Sequence, residues 1–194
     1  MQIHRIMMSI SRGMAILGGI VLTLLIVLTC VSVLGRGMNT FLHWDVIEGA
    51  IPGVAKTLQN TFGPVLGDYE LVEAGIAFSI FAFMPLCTIT AGHASVDIVT
   101  MRFGARVNRF ISVIVGLLFA GVFTLIALRL YEGMASKMEY NETTFLIQFP
   151  IWWAYALSLF GAAVTAVVGI YMAVVRIIEF ATMRTIAEGA EVEH

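Results

Sequence analysis

Four long stretches of the chain carry no charged residue. Between Arg12 and Arg36 lie 23 uncharged residues, and between Glu73 and Asp97 lie 23 more, with His93 the one histidine among them. Phe110–Leu128 adds 19 and Thr143–Val175 adds 33. A helix rises 1.5 Å per residue, so about 20 residues cross the roughly 30 Å hydrocarbon layer. Within lipid the backbone must satisfy its own polar groups, which leaves helices or closed barrels. The short alternating runs of a barrel are absent. The pattern predicts four transmembrane helices, at about 13–35, 69–97, 108–131 and 150–178, forming one all-α integral membrane domain over 1–194.

Between the first two runs the pattern changes. Trp44, Ile47, Ile51, Val54, Leu58 and Phe62 recur at three- and four-residue steps, with Asp45, Glu48, Lys56 and Gln59 between them. That spacing predicts an amphipathic segment over about 41–62, kinked or split at Pro52. It suits the head-group layer of the membrane or a partner protein equally well. Gly63-Pro64 and Gly67-Asp68 then turn the chain into the second helix. Pro150 disfavours helix before it and favours a first turn after it, so 143–149 is expected to be extended.

Composition agrees with this reading. The apolar set makes up 59% of the chain and charged residues 12%, against about 25% charged in a soluble domain. Mean hydropathy is +0.93. A formal charge of −2 leaves no basic excess with which to bind nucleic acid. Lys and Arg set the orientation: seven lie in the N-terminal tail, the 97–109 connection and the C-terminal tail, and four in the other two loops. Both termini are therefore expected to face the cytoplasm. Trp44, Trp152, Trp153 and Tyr155 then fall where interfacial aromatic anchors belong. The first run is longer than the core of a secretory signal and no cleavage pattern follows it, so it is expected to remain as an anchor helix.

Catalytic readings fail on residue type. Haem ligation needs histidines inside the spans, and of His4, His43, His93 and His194 only His93 comes near one. Cys30 and Cys87 both lie in apolar runs, out of reach for loop thiol chemistry. His93, Ser95 and Asp97 lack the glycine-flanked elbow that exposes a nucleophile. Asn141-Glu-Thr143 matches a glycosylation sequon, a frequent accident. No enzyme, no cofactor and no metal site is expected. Small residues do align: Ser112, Gly116 and Ala120 on the third helix; Gly161, Thr165 and Gly169 on the fourth, with Ser158, Ala162 and Ala166 beside them. Such rows let membrane helices approach closely, within this chain or against another.

The ionisable groups of the second helix sit at its ends. Glu70 and Glu73 open it; His93 and Asp97, four apart and so on one face, close it, with Arg102 beyond. Helix-end pairing or partner contact accounts for them better than a mid-membrane relay does. Pro85 should bend this helix and free the carbonyl of Phe81.

Gly67-Asp-Tyr-Glu-Leu-Val-Glu73, an apolar helix, and then Gly92-His-Ala-Ser-Val-Asp97 resembles the small membrane subunit, DctQ, of tripartite ATP-independent periplasmic (TRAP) transporters. Thr143, Thr144 and Pro150-Ile-Trp152 match a further element of that family before its fourth helix. The resemblance implies a non-catalytic subunit in a bacterial inner membrane. Its partners would be a large permease subunit and a periplasmic solute-binding protein, in sodium-coupled uptake of organic acids. It implies that Glu73, Gly92, His93 and Asp97 act as helix-end anchors or partner contacts. The competing expectation is a stand-alone homo-oligomeric channel or exporter, with Glu70, Glu73 and Asp97 as rings at the pore mouth. A membrane chaperone or assembly factor is a third class.

Overall fold

The computed structural model describes residues 2–42, 66–90 and 105–182. The amphipathic segment, from residue 43 onward, lies outside them. Each charge-free run becomes a helix: α1 Gln2–Leu42, α2 Asp68–Ile89, α3 Ala105–Glu139 and α4 Trp152–Thr182, all four long and apolar enough to cross a membrane. Three helices run past the expected bounds, because a charge gap measures the hydrocarbon crossing and not the helix. At 1.5 Å per residue α1 is about 62 Å long and α3 about 52 Å, so both project beyond the apolar layer. In the other direction, α2 closes at Ile89 with Thr90 as its C-cap, short of the expected end at 97. Residues 91–104 are outside the described set.

The helices stand in a row, α1–α2–α4–α3. α1 packs on α2, α2 on α4 and α4 on α3, while α1 and α4 meet only marginally. Of the apolar stretches, 56% of α4 is buried but only 11% of α1 and of α3, so the flanking helices keep broad faces for lipid or another protein.

Close approach, not hydrophobic transfer, holds such a row together, since lipid is as apolar as the side chains. Ala82 of α2 is fully buried between two glycines. A Cβ on Gly18 of α1 would sit 2.8 Å from the Ala82 Cβ, and one on Gly161 of α4 would sit 2.9 Å from the Phe81 Cβ and 3.3 Å from the Ala82 nitrogen. Between α3 and α4, Gly169 faces the Ala120 Cα and the Phe123 ring, and Gly116 faces the Ala173 Cα. The small-residue rows are thus occupied within the chain.

Pro85 lies inside α2, fully buried, and cannot donate to the Phe81 carbonyl. The single hydroxyl proton of Thr165 on α4 is shared between its own Gly161 carbonyl at 2.8 Å and the Phe81 carbonyl at 3.3 Å. A threonine on the neighbouring helix thereby serves an acceptor that the proline leaves open, one way membrane helices tolerate proline.

Candidate functional site

The polar groups gather where α1 and α3 end and α2 and α4 begin, here called the aromatic end. Gly67 caps α2 in the left-handed conformation, φ 75°. Its missing side chain is also required sterically, since a Cβ there would run into Ile147. Two acidic residues follow, and each ties α2 to a different part of the chain.

Asp68 reaches α1. Its carboxylate accepts from the hydroxyl of Ser32, which is fully buried, and pairs with the Arg36 guanidinium; Arg36 also donates to Ser32 at 3.2 Å. Ser32 and Arg36 are one helical turn apart, so a single carboxylate meets both. The other Asp68 oxygen accepts the Tyr69 N–H at 2.9 Å.

Glu70 reaches the α3–α4 loop, its carboxylate accepting the backbone N–H of Leu146 at 2.7 Å and of Ile147 at 3.0 Å. The loop supports itself as well. The Thr144 N–H donates to the Phe149 carbonyl at 2.9 Å, the Phe149 N–H to the Thr144 hydroxyl at 3.0 Å, and Thr143 and Pro150 form an antiparallel bridge. Lys137 and Glu142 close its base at 2.6 Å. α4 begins at Trp152, close to the expected Pro150, and 143–149 is non-helical. It is not extended as expected, however: the chain bends over 145–147, Gln148 takes φ 54°, and the Thr143–Pro150 bridge brings the ends together, because Glu70 gathers the Leu146 and Ile147 N–H groups.

Under this loop, between α2, α3 and α4, lies a cavity of about 340 Å³. Glu73 opens onto it, with Ala77, Phe81, Leu130, Tyr155 and Ser158 forming much of its lining. Tyr155 packs across Gly133 of α3, where a Cβ would come within 2.8 Å of the ring. Trp152 and Trp153 meet edge to face, and Phe149 lies against Trp153.

Of the residues singled out in the sequence, Glu70, Glu73, Trp152, Trp153 and Tyr155 converge at this end. Trp44, Gly92, His93, Asp97 and Arg102 lie outside the described residues. Sequence reasoning missed Ser32, Arg36 and Asp68 as a linked group. Its trace was a lone arginine closing the first charge gap and a lone aspartate opening the second helix. At the opposite, basic end, Glu179 is almost fully buried and pairs with Arg176 at 3.2 Å, and the Tyr171 hydroxyl lies 3.3 Å from a His4 ring nitrogen, joining α4 to α1.

Among the described residues no cluster of His, Cys, Asp and Glu has the size to hold a metal ion. At the aromatic end Asp68 and Glu70 fasten α2 to α1 and to the α3–α4 loop. The four membrane-length helices define a multi-pass α-helical membrane protein.

A family model described as "Tripartite ATP-independent periplasmic transporters, DctQ component" matches residues 54–179. The chain belongs to that family, the small permease subunits of TRAP transporters. No curated relative and no solved structure matches it.

Proposed function

We propose that this chain is a non-catalytic brace for the large permease subunit of a TRAP-type transporter in a bacterial inner membrane. It supports sodium-coupled uptake of organic acids handed over by a periplasmic binding protein. The observation that carries this reading is the row of helices with two largely uncovered flanks. α1 and α3 leave most of their apolar surface open, while Asp68 and Glu70 are engaged in contacts within the chain. Substrate and sodium would then be held by the partner. His93 and Asp97 serve this reading as partner or helix-end contacts, with both termini on the cytoplasmic side.

Co-expression with a large TRAP permease subunit tests it. Mild-detergent purification of a tagged form should recover a much larger hydrophobic chain, and proteoliposomes supplied with the binding protein and a sodium gradient should take up organic acid only when both membrane chains are present. Uptake by the purified small chain alone would overturn the reading. His93→Ala or Asp97→Ala should lower recovery of the pair more than it shifts substrate preference. The pore-ring alternative is disfavoured by Glu70, whose carboxylate is occupied by two backbone donors.

A further inference from the structure

Phe145, Leu146 and Ile147 form the tip of the α3–α4 loop with 92%, 55% and 41% of their surfaces exposed. Apolar surface exposed on three consecutive residues is costly in water, even with Ile147 partly packed over Gly67. The chain nevertheless fixes them there with the Glu70 carboxylate and the Thr144–Phe149 pairing. We infer that this tip is a membrane anchor, seated in the lipid head-group layer at the aromatic end.

Two further observations choose lipid as the occupant. First, four of the loop's N–H groups, those of Thr144, Leu146, Ile147 and Phe149, have acceptors inside the chain, which lowers the cost of moving this backbone out of water. Where water is scarce, unsatisfied N–H groups cost several kcal/mol each, so these internal acceptors favour a drier setting. Second, the loop leads into residues at interfacial depth. From Arg176, which marks the basic end, to Trp152 is 24 steps, or about 36 Å, against about 30 Å of hydrocarbon. The Trp152–Trp153 pair therefore reaches the opposite head-group layer, and the loop leads directly into it. Leu66 and Tyr69, 79% and 74% exposed, and Trp153 continue an apolar and aromatic rim at this end. Because apolar area and not cationic charge drives the insertion, anionic lipid is not required.

The test uses the full chain with Cys30→Ala and Cys87→Ala, carrying one nitroxide label at Phe145→Cys, in phosphatidylcholine vesicles. Glu139→Cys, at the end of α3, gives the aqueous reference, and Val167→Cys, exposed in the middle of α4, the lipid reference. Collision rates with oxygen and with a water-soluble nickel chelate report depth. The Phe145 label should meet nickel several-fold less than the Glu139 label does, with or without anionic lipid. Adding Glu70→Ala should move it toward the aqueous value. Nickel access equal to that at Glu139 would overturn the inference. So would shielding that appears only once the large permease subunit or a binding protein is added, because the tip would then be a protein contact. If the Glu70→Ala chain does not insert, the comparison of the Phe145 and Glu139 labels still decides. Since the chain is measured alone, the result stands apart from whether it braces a permease.

Discussion

Glu70 shows how one carboxylate can organise a loop far away in sequence. Its two oxygens accept adjacent backbone N–H groups 76 and 77 residues downstream, so amide exchange at Leu146 and Ile147 reads the contact directly. Glu70→Ala should speed exchange at both amides, and Glu70→Gln, which keeps an acceptor oxygen but loses the charge, should fall between. Unchanged exchange in Glu70→Ala would show that the Thr144–Phe149 pairing holds the loop unaided. The second informative residue is Thr165. In Thr165→Val the Phe81 carbonyl loses its donor across the α2–α4 contact, at a cost of about 0.6 kcal/mol and at most about 1.7 kcal/mol. In a Pro85→Ala background residue 85 regains an N–H and that cost should shrink toward zero. An unfolding double-mutant cycle in bicelles measures the coupling, and equal costs in both backgrounds would rule out the shared acceptor. At this scale the sequence announced the open carbonyl, because proline always vacates the acceptor four residues back. It was silent on the donor, since α2 and α4 are far apart along the chain. Ser32, Arg36 and Asp68 were hidden for the same reason: an ion pair spanning 32 residues leaves no local spacing.

At the scale of elements, helix existence was legible and helix extent was not. Charges are excluded from hydrocarbon, so four gaps give four crossings. Nothing in that argument stops α1 or α3 from continuing past the charge gap, and both do. The boundary of α4 was legible for a different reason, the fixed geometry of Pro150. Small-residue rows announced close contacts without naming their counterparts, since a glycine every four residues says only that some backbone comes near. The structure assigns Gly161 to α2 and Gly169 to α3, which makes their substitution specific. Gly161→Ala should destabilise the α2–α4 contact by about 1–3 kcal/mol, the usual range for overpacking, seen as a lower unfolding midpoint in detergent. Gly121→Ala, with nothing within 4 Å of its Cβ position, should leave the midpoint unchanged or raise it slightly. Equal losses at the two positions would mean that helix propensity, and not packing, decides.

At the scale of the whole molecule, a row presents two broad faces where a closed bundle would bury its centre. α4 and α2 form the middle and α1 and α3 the edges. That shape suits widening a neighbouring protein within the plane of the membrane. Recovery of the large permease should therefore suffer more from bulky polar substitutions on the open faces of α1 or α3, such as Ile20→Gln or Leu118→Gln, both well exposed, than from Thr165→Val. Co-purification yield is the measurement, and the reverse ranking would point to assembly through the loops. The class of protein was legible from charge distribution, and the family from two short motifs flanking one helix. Which face meets which partner was not, because every lipid-compatible surface is written in the same few residue types.

The dependence of Phe81 on Thr165 also bears on how the chain is made. During synthesis α2 enters the bilayer with one backbone acceptor vacant, and the residue that serves it emerges about 80 positions later. At 5–20 residues per second this leaves roughly 4–16 s in which the newborn hairpin of α1 and α2 is incomplete. Over that interval water, lipid or the insertion machinery has to shelter the opening, and the arrival of α4 closes it.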